Sequence, residues 1–451
     1  MVFTTGTGHD EVLLKEARLL VETKTATEIL GACQSLEREH RIYRDRKCLN
    51  LIAAEAPTSL SVRRALSSPL GYRASGGHIG PDSRCFQGSF YIDKIEALAI
   101  ELLKKLFQCD FADHRLMGGL AACNVVYSAF APHGARVMSL SQSSGGDSSN
   151  LKNGPPGLRN AQIIPIPFDK QTLAIDLQRF YDIAERYKPT LVAIGETATL
   201  FPQPVKEMSQ FIKRWNGKLY FDAAHQAGLI ASGLYPNPLG EGADIMTGSG
   251  GKTFSGPQSG LIFWNNPTFS EAITHTIFPV LTGSHQINRV YALIISTLEL
   301  MEFGRAYLSN VVENARYLAR QLCTAGLKVL GKEKGYTQTH QLLIDVSRFG
   351  DGIEIARKLE KANIIVNKML IPDDSDTQDA VPHGIRLGLC EVTRRGMRFQ
   401  QMEQIADFIT DAILKDEEGI ETLKQEVVKF LKPYDKIYYS FEEKLPPQGS
   451  S

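Results

Sequence analysis

From residue 59 to about 269, short apolar runs alternate with longer stretches whose apolar residues recur every three or four positions. Residues 136–140, 161–166, 191–194, 219–221 and 243–247 read as strands, and residues 94–107, a segment starting near 121, and 173–187 read as helices. Such alternation predicts an α/β domain with a mostly parallel sheet and helices on both faces. Ligands of such sheets bind beyond the carboxyl ends of the strands. Before this domain, residues 11–46 read as helical and 49–53 as a short strand, an N-terminal arm over 1–58. After it, residues 286–304 and 305–325 read as two helices. Strands at 328–330, 341–346, 364–366 and 384–387 follow, with helices at 353–362 and 398–415, as a smaller α+β domain. The expected division is a large domain over 59–300, a small one over 301–431 and a loosely ordered tail from 432 to 451.

The chain has 451 residues, enough for two or three domains with a large core. Lys plus Arg and Asp plus Glu both total 50, and no basic face carries interleaved aromatics, so small molecules rather than nucleic acid are the expected partners. No apolar stretch reaches the length of a membrane span, and the first twenty residues lack the pattern of a secretory signal. Seven cysteines, scattered and without a CxxC, predict a reducing, cytoplasmic setting and no zinc site.

Chemistry concentrates in residues 218–260. One strand delivers Asp222 at its end, and a second ends in glycines and Lys252, so a carboxylate and an amine point at one place. Pyridoxal phosphate needs that pair: a lysine to hold it as a Schiff base and an acid on its pyridine nitrogen. A nucleotide phosphate loop is excluded, because the first glycine of GxxxxGK[ST] would stand at Met246.

With these residues in view, the chain resembles the serine hydroxymethyltransferase family of fold type I pyridoxal phosphate enzymes over about 49–412. The likeness rests on LNLIAAEAPTS at 49–59, FDAAHQAGLIASGLYPNPL at 221–239, GGKTFSGPQSGLIFW at 250–264, IFPVLTG at 277–283 and HGIRLG at 383–388. The resemblance implies that Lys252 forms the Schiff base, Asp222 meets the pyridine nitrogen and His225 bonds the phenolic oxygen of the cofactor. Arg386 resembles the arginine that grips the substrate carboxylate, a task suited to a guanidinium fork. Gly118 and Gly119 fit a phosphate held at a helix N-terminus. Asp147, which stands where the family has a ring-stacking histidine, and Thr197 complete the expected cofactor contacts. Thr282 and Gly283 resemble the loop that reaches the neighbouring subunit's phosphate, which implies a homodimer.

The resemblance breaks at residues 74–88. The family's proton-transferring glutamate corresponds to Gly76, and its two tyrosines to Ala74 and Phe86; the histidine before the lysine is Gly251, and a serine near the N-terminal strand is Ala54. The cofactor site is retained while the groups that serve the folate reaction are gone. The expected activity is therefore folate-independent cleavage or formation of the Cα–Cβ bond of a β-hydroxy amino acid, of the threonine aldolase or transaldolase type, with an aldehyde as possible co-substrate. Alternatives are Cα deprotonation, β-elimination or oxygen-dependent oxidative decarboxylation of an unusual amino acid, and genuine hydroxymethyl transfer. New polar groups in the altered region are His78, Cys85 and Asp147, with His285 after the dimer loop. His78 is the candidate replacement acid or base, because imidazole titrates near neutrality. Asp147 is expected to cap a turn or helix, and Cys85 to pack in the interior.

Overall fold

Residues 10–377 and 379–445 are described by the computed structural model. Seven strands form its central sheet: β1 (Phe111–Leu116), β2 (Arg136–Ser139), β3 (Gln162–Pro165), β4 (Leu191–Gly195), β5 (Lys218–Asp222), β6 (Ile245–Ser249) and β7 (Gly260–Trp264). They run across the sheet in the order β1-β7-β6-β5-β4-β2-β3. All neighbours are parallel except the two pairs that β7 makes, with β6 and with β1. The fold is thus the expected α/β type, with a mixed sheet of mostly parallel strands.

Strand geometry sends successive side chains to opposite faces. Val192, Ile194, Leu219, Phe221 and Met246 enter one core. Leu191, Ala193, Tyr220 and Ile245 enter another, beneath the helix Gly119–Phe130. Burial on both faces explains why these strands read as unbroken apolar runs. The parallel direction brings Gly195, Asp222 and Ser249, the last residues of β4, β5 and β6, to one edge.

Two sheet strands escape the sequence pattern. β1 carries Asp113, His114 and Arg115 in its middle, all buried: Arg115 Nη2 donates to Asp113 at 2.7 Å, and His114 lies 3.8 Å from Glu96. β7 is a run of five buried residues, which periodicity does not separate from a helix. The helix expected from 173 starts at Leu177, capped by Asp176, after a two-residue strand at Ala174–Ile175. The two helices expected at 286–304 and 305–325 are one, Ile287–Thr324, of 38 residues. Gly304, at the expected break, faces Ser232 and Leu300 closely enough that a Cβ would meet Ser232 Oγ at 2.7 Å. The glycine marks close packing, not a break.

A four-stranded antiparallel sheet (Lys328–Val329, Gln341–Asp345, Asn367–Met369, Gly384–Gly388) packs with the helices Gly352–Lys361 and Phe399–Leu414. A further helix, Glu417–Leu431, has no counterpart among the elements expected from the sequence. The segment expected to be loose from 432 is docked as far as it is described: Tyr439 is 2% exposed, packs against Tyr307 and accepts a hydrogen bond from Asn310 at 2.8 Å. Residues 446–451, and 1–9 of the arm, lie outside the described residues.

The arm is two helices, Glu11–Thr23 and Ala26–Ile42, because Thr25 and Glu28 form a capping box that restarts the helix. Neither helix buries a residue. The chain then turns in, and Leu49–Asn50 pairs in parallel with Ile364–Ile365. Among the described residues no helix is long and apolar enough to cross a membrane.

Candidate active site

A cavity of about 900 Å³ opens at the carboxyl edge of the sheet, lined by Gly118, Gly119, Asp147, Asp222, His225 and Lys252 among others. Six of the residues named from the sequence therefore meet in one place.

Asp222 ends β5 and is 6% exposed. Its carboxylate accepts from Ala224 N at 3.1 Å, Asn150 Nδ2 at 3.3 Å and Thr247 Oγ1 at 3.3 Å. Burial and the nearby Asp147 carboxylate raise its pKa, against the pull of Lys252. Asn150 reaches it across Gly195, where a Cβ would lie 2.2 Å from Asn150 Nδ2. That glycine is required by the approach of the amide.

Lys252 follows β6 in a tight loop, and its amine makes no hydrogen bond or ion pair among the described residues. Burial lowers its pKa, opposed by Asp222 and Asp147. A lysine so placed holds a larger fraction of free amine at neutral pH, which is what Schiff-base formation requires.

His225 is 1% exposed. Thr199 N donates to Gln341 Oε1 at 2.9 Å, which fixes the amide so that Gln341 Nε2 donates to His225 Nδ1 at 3.0 Å. Burial, with the positive charges of Lys252 and Arg386, holds the ring well below its usual pKa and therefore neutral. With Nδ1 accepting, the ring proton sits on Nε2. His340 stacks on the ring with centroids 5.6 Å apart, and its own pKa is pushed down to about 3 by burial. Sequence reasoning misses His340 and Gln341; their signal is a polar THQ leading into the buried strand Gln341–Asp345.

Arg386, 6% exposed in the middle of the small sheet, donates from Nε to Asn367 Oδ1 at 3.1 Å and from Nη1 to Thr197 Oγ1 at 2.9 Å and the Thr197 carbonyl. Among the described residues Nη2 has no partner. Burial brings its pKa down to about 10, so it stays charged. Thr197, named as a cofactor contact, instead holds this arginine and is absent from the cavity wall.

Gly118 caps the helix Gly119–Phe130, and a Cβ on Gly119 would fill the space against Ser249 and Ala224 at 3.6 and 3.8 Å. The bare backbone there suits an anion at a helix N-terminus. Asp147 caps the short turn Ser148–Asn150, accepting from Ser149 N at 2.9 Å. It is a cap, as expected, and also part of the cavity wall.

Other named residues are not brought here. His78 lies in a second cavity of about 430 Å³ with Glu96, Asp113, His114 and Arg115; its Nδ1 is 3.4 Å from Arg115 Nη1. It is not part of the wall of the Lys252 cavity. His285 is buried against Glu96 at 2.5 Å. Thr282 and Gly283 lie on the loop after Thr276–Leu281, outside the Lys252 cavity. Cys85 is exposed, contrary to the packed interior expected of it: Cys85 N bonds Gly76 O in a surface hairpin that leaves the thiol outside.

The amine, the carboxylate, the neutral imidazole and the helix N-terminus fit pyridoxal phosphate, and with this sheet they define a fold type I pyridoxal phosphate enzyme. The family description "Serine hydroxymethyltransferase" matches residues 30–409. A serine hydroxymethyltransferase of Archaeoglobus fulgidus is 39% identical over 410 residues, covering 91% of this chain and 92% of that protein. One from Aeropyrum pernix is 37% identical over 409 residues, with 91% and 92% covered. The chain belongs to the serine hydroxymethyltransferase family, and its cofactor is pyridoxal phosphate. The crystal structure of an L-threonine transaldolase from Pseudomonas fluorescens is also similar, with a TM-score of 0.83, 27% identity, and coverage of 93% of this chain and 95% of that one.

Proposed function

We propose that this enzyme makes or breaks the Cα–Cβ bond of a β-hydroxy amino acid such as L-threonine without folate, with an aldehyde released or taken up. One observation carries the reading: the cavity wall brings together Lys252, Asp222 and His225. The groups for cofactor chemistry are assembled, and the positions that serve folate in the family hold Gly76, Ala74 and Phe86. Similarity to the Pseudomonas fluorescens protein, an L-threonine transaldolase, supports the same reaction class.

Pyridoxal phosphate supplies the electron sink that stabilises a carbanion at Cα. The chain's own residues do the rest. Arg386 offers Nη2 to the substrate carboxylate and is held in place by Thr197 and Asn367. His225 sets Nε2 3.4 Å from Arg386 Nη1 at the cavity wall, and Asp222 would hold a proton on the ring nitrogen. Lys252, with its lowered pKa, takes and returns protons once free.

We take the working unit to be a homodimer. Val12, Leu13, Leu19, Val21, Leu30 and Leu36 of the arm are 58–66% exposed. Leu120 and Leu158 at the cavity mouth are 61% and 75% exposed. Apolar surface of this extent is covered in a partner interface, and the loop at Thr282 and Gly283 is free to reach a second copy.

Incubation with L-threonine, with and without an added aromatic aldehyde and without folate, tests the reading. Acetaldehyde should be released in both cases, and faster with the second aldehyde; none in either case overturns it. The archaeal relatives, both serine hydroxymethyltransferases, favour a second reading, genuine hydroxymethyl transfer. Serine cleavage strictly dependent on tetrahydrofolate would establish that one.

A further inference from the structure

Glu196, like Asp147, is an acid at this site to which bond cleavage as described assigns no task. It follows Gly195, the last residue of β4, is 4% exposed, and lines the same cavity as Asp222, His225 and Lys252. Its partners are amides: Gln203 Nε2 donates to Oε1 at 2.9 Å, and Gln226 Nε2 approaches Oε2 at 3.5 Å. No basic side chain among the described residues pairs with it. The hydroxyls of Thr199 and Tyr235 are its other polar neighbours, and Glu241 lies beyond Tyr235. The cavity wall also carries the carboxylates of Asp222 and Asp147 and the amine of Lys252.

A buried carboxylate without a cation is strongly disfavoured. The surroundings also hold a bare acceptor, the side-chain carbonyl oxygen of Gln226, beside two hydroxyls that can donate or accept. Gln226 Oε1, Thr199 Oγ1 and Tyr235 OH are buried with no hydrogen-bond partner. With the Gln226 amide turned over, a protonated Glu196 donates to Gln226 Oε1 and satisfies the orphaned acceptor. An ionised Glu196 has nothing to offer it.

We infer that Glu196 is carried as a neutral carboxylic acid and is the proton donor of this site, taking the part left vacant at Gly76. This rests on the bond-cleavage reading. When the Cα–Cβ bond breaks, its electron pair stays on Cα, and the β-hydroxyl loses its proton as the aldehyde forms. The Glu196 O–H bond breaks, its proton forms the new Cα–H bond, and the proton released from the hydroxyl restores the carboxyl group. Glycine and an aldehyde leave, and the acid is unchanged. Burial agrees with the assignment, pushing the carboxyl up to about 8.

The test compares the wild-type holoenzyme with Glu196→Gln, which keeps the shape and neutrality but has no acid proton. Infrared difference spectra at about pH 6 and about pH 9.5, either side of the shifted value, should contain a carboxylic acid carbonyl band that disappears at the higher pH and is missing in the variant. The variant should keep cofactor absorbance and L-threonine affinity. Its kcat for acetaldehyde release should fall by about 10²-fold, and the alkaline limb of its pH profile should vanish. The same comparison on exchange of the glycine Cα hydrogen in deuterated water does not depend on threonine being a substrate. No infrared band, or a variant with wild-type rates and pH profile in both assays, overturns the assignment. Loss of glycine exchange in the variant, with no acetaldehyde from the wild type, upholds it and rejects the threonine reading alone.

Discussion

At the scale of single residues, the cavity is a balance of burial against charge. Lys252→Ala removes the one amine in it, and the purified variant should lack borohydride-trapped cofactor and lose about 10²–10⁴-fold in turnover. Asp222→Ala should weaken cofactor retention in dialysis while leaving Lys252 able to trap it. Glu196 also sets a pH dependence of stability. Its folded pKa is raised to about 8 from 4.5, so its contribution is fully present below the unfolded value and is lost progressively as pH rises toward 8. Urea midpoints of wild type and Glu196→Gln should diverge across that window, with the wild type losing more. Lys252, Asp222, His225 and Arg386 were legible because each sits in a dense, distinctive stretch of sequence. His340, Gln341, Asn150 and Glu196 were not, because what matters about them is what they touch, from residues as far apart as 150 and 222. His78 shows the converse: a side chain with suitable chemistry was placed by the fold in another cavity.

At the scale of elements, one side chain ties three segments together. Arg394, buried at the end of the helix Cys390–Arg394, donates to Pro57 O at 2.8 Å, Ser255 O at 3.1 Å and Glu299 Oε2 at 2.8 Å. It therefore joins the end of the arm, the loop after Lys252 and the long helix Ile287–Thr324. Arg394→Met leaves Glu299 buried without its partner, and equilibrium denaturation should report a loss of about 3–5 kcal/mol. Replacing both by methionine should recover part of it. Elements with an apolar period were legible from the sequence, such as β2, β4 and β5. β1 was not, because Asp113 and Arg115 are buried as an ion pair on either side of a buried His114, and a pattern of apolar positions does not register it.

At the scale of the whole molecule, the large unpartnered surface is the arm. Deleting residues 1–42 should convert a dimer to monomers in sedimentation; an unchanged sedimentation coefficient per chain mass would locate the interface elsewhere. The order of layers was legible, since alternating strands and helices permit few arrangements. The continuity of the chain between its two parts was not, because Gly304 reads as a stop in sequence and serves as a contact in space. The helix that results has a mechanical meaning. At about 1.5 Å per residue its 38 residues span about 57 Å, and it passes without interruption from beside β1, where Arg289 holds the carbonyls of His114 and Arg115, to Asn314 bonded to Thr393. Such a rod resists bending at its middle. Glu299 on Arg394 and Asn314 on Thr393 fasten the residues that follow the strand of Arg386 to this rod about four turns apart, so the arginine is carried on a stiff beam clamped at two points.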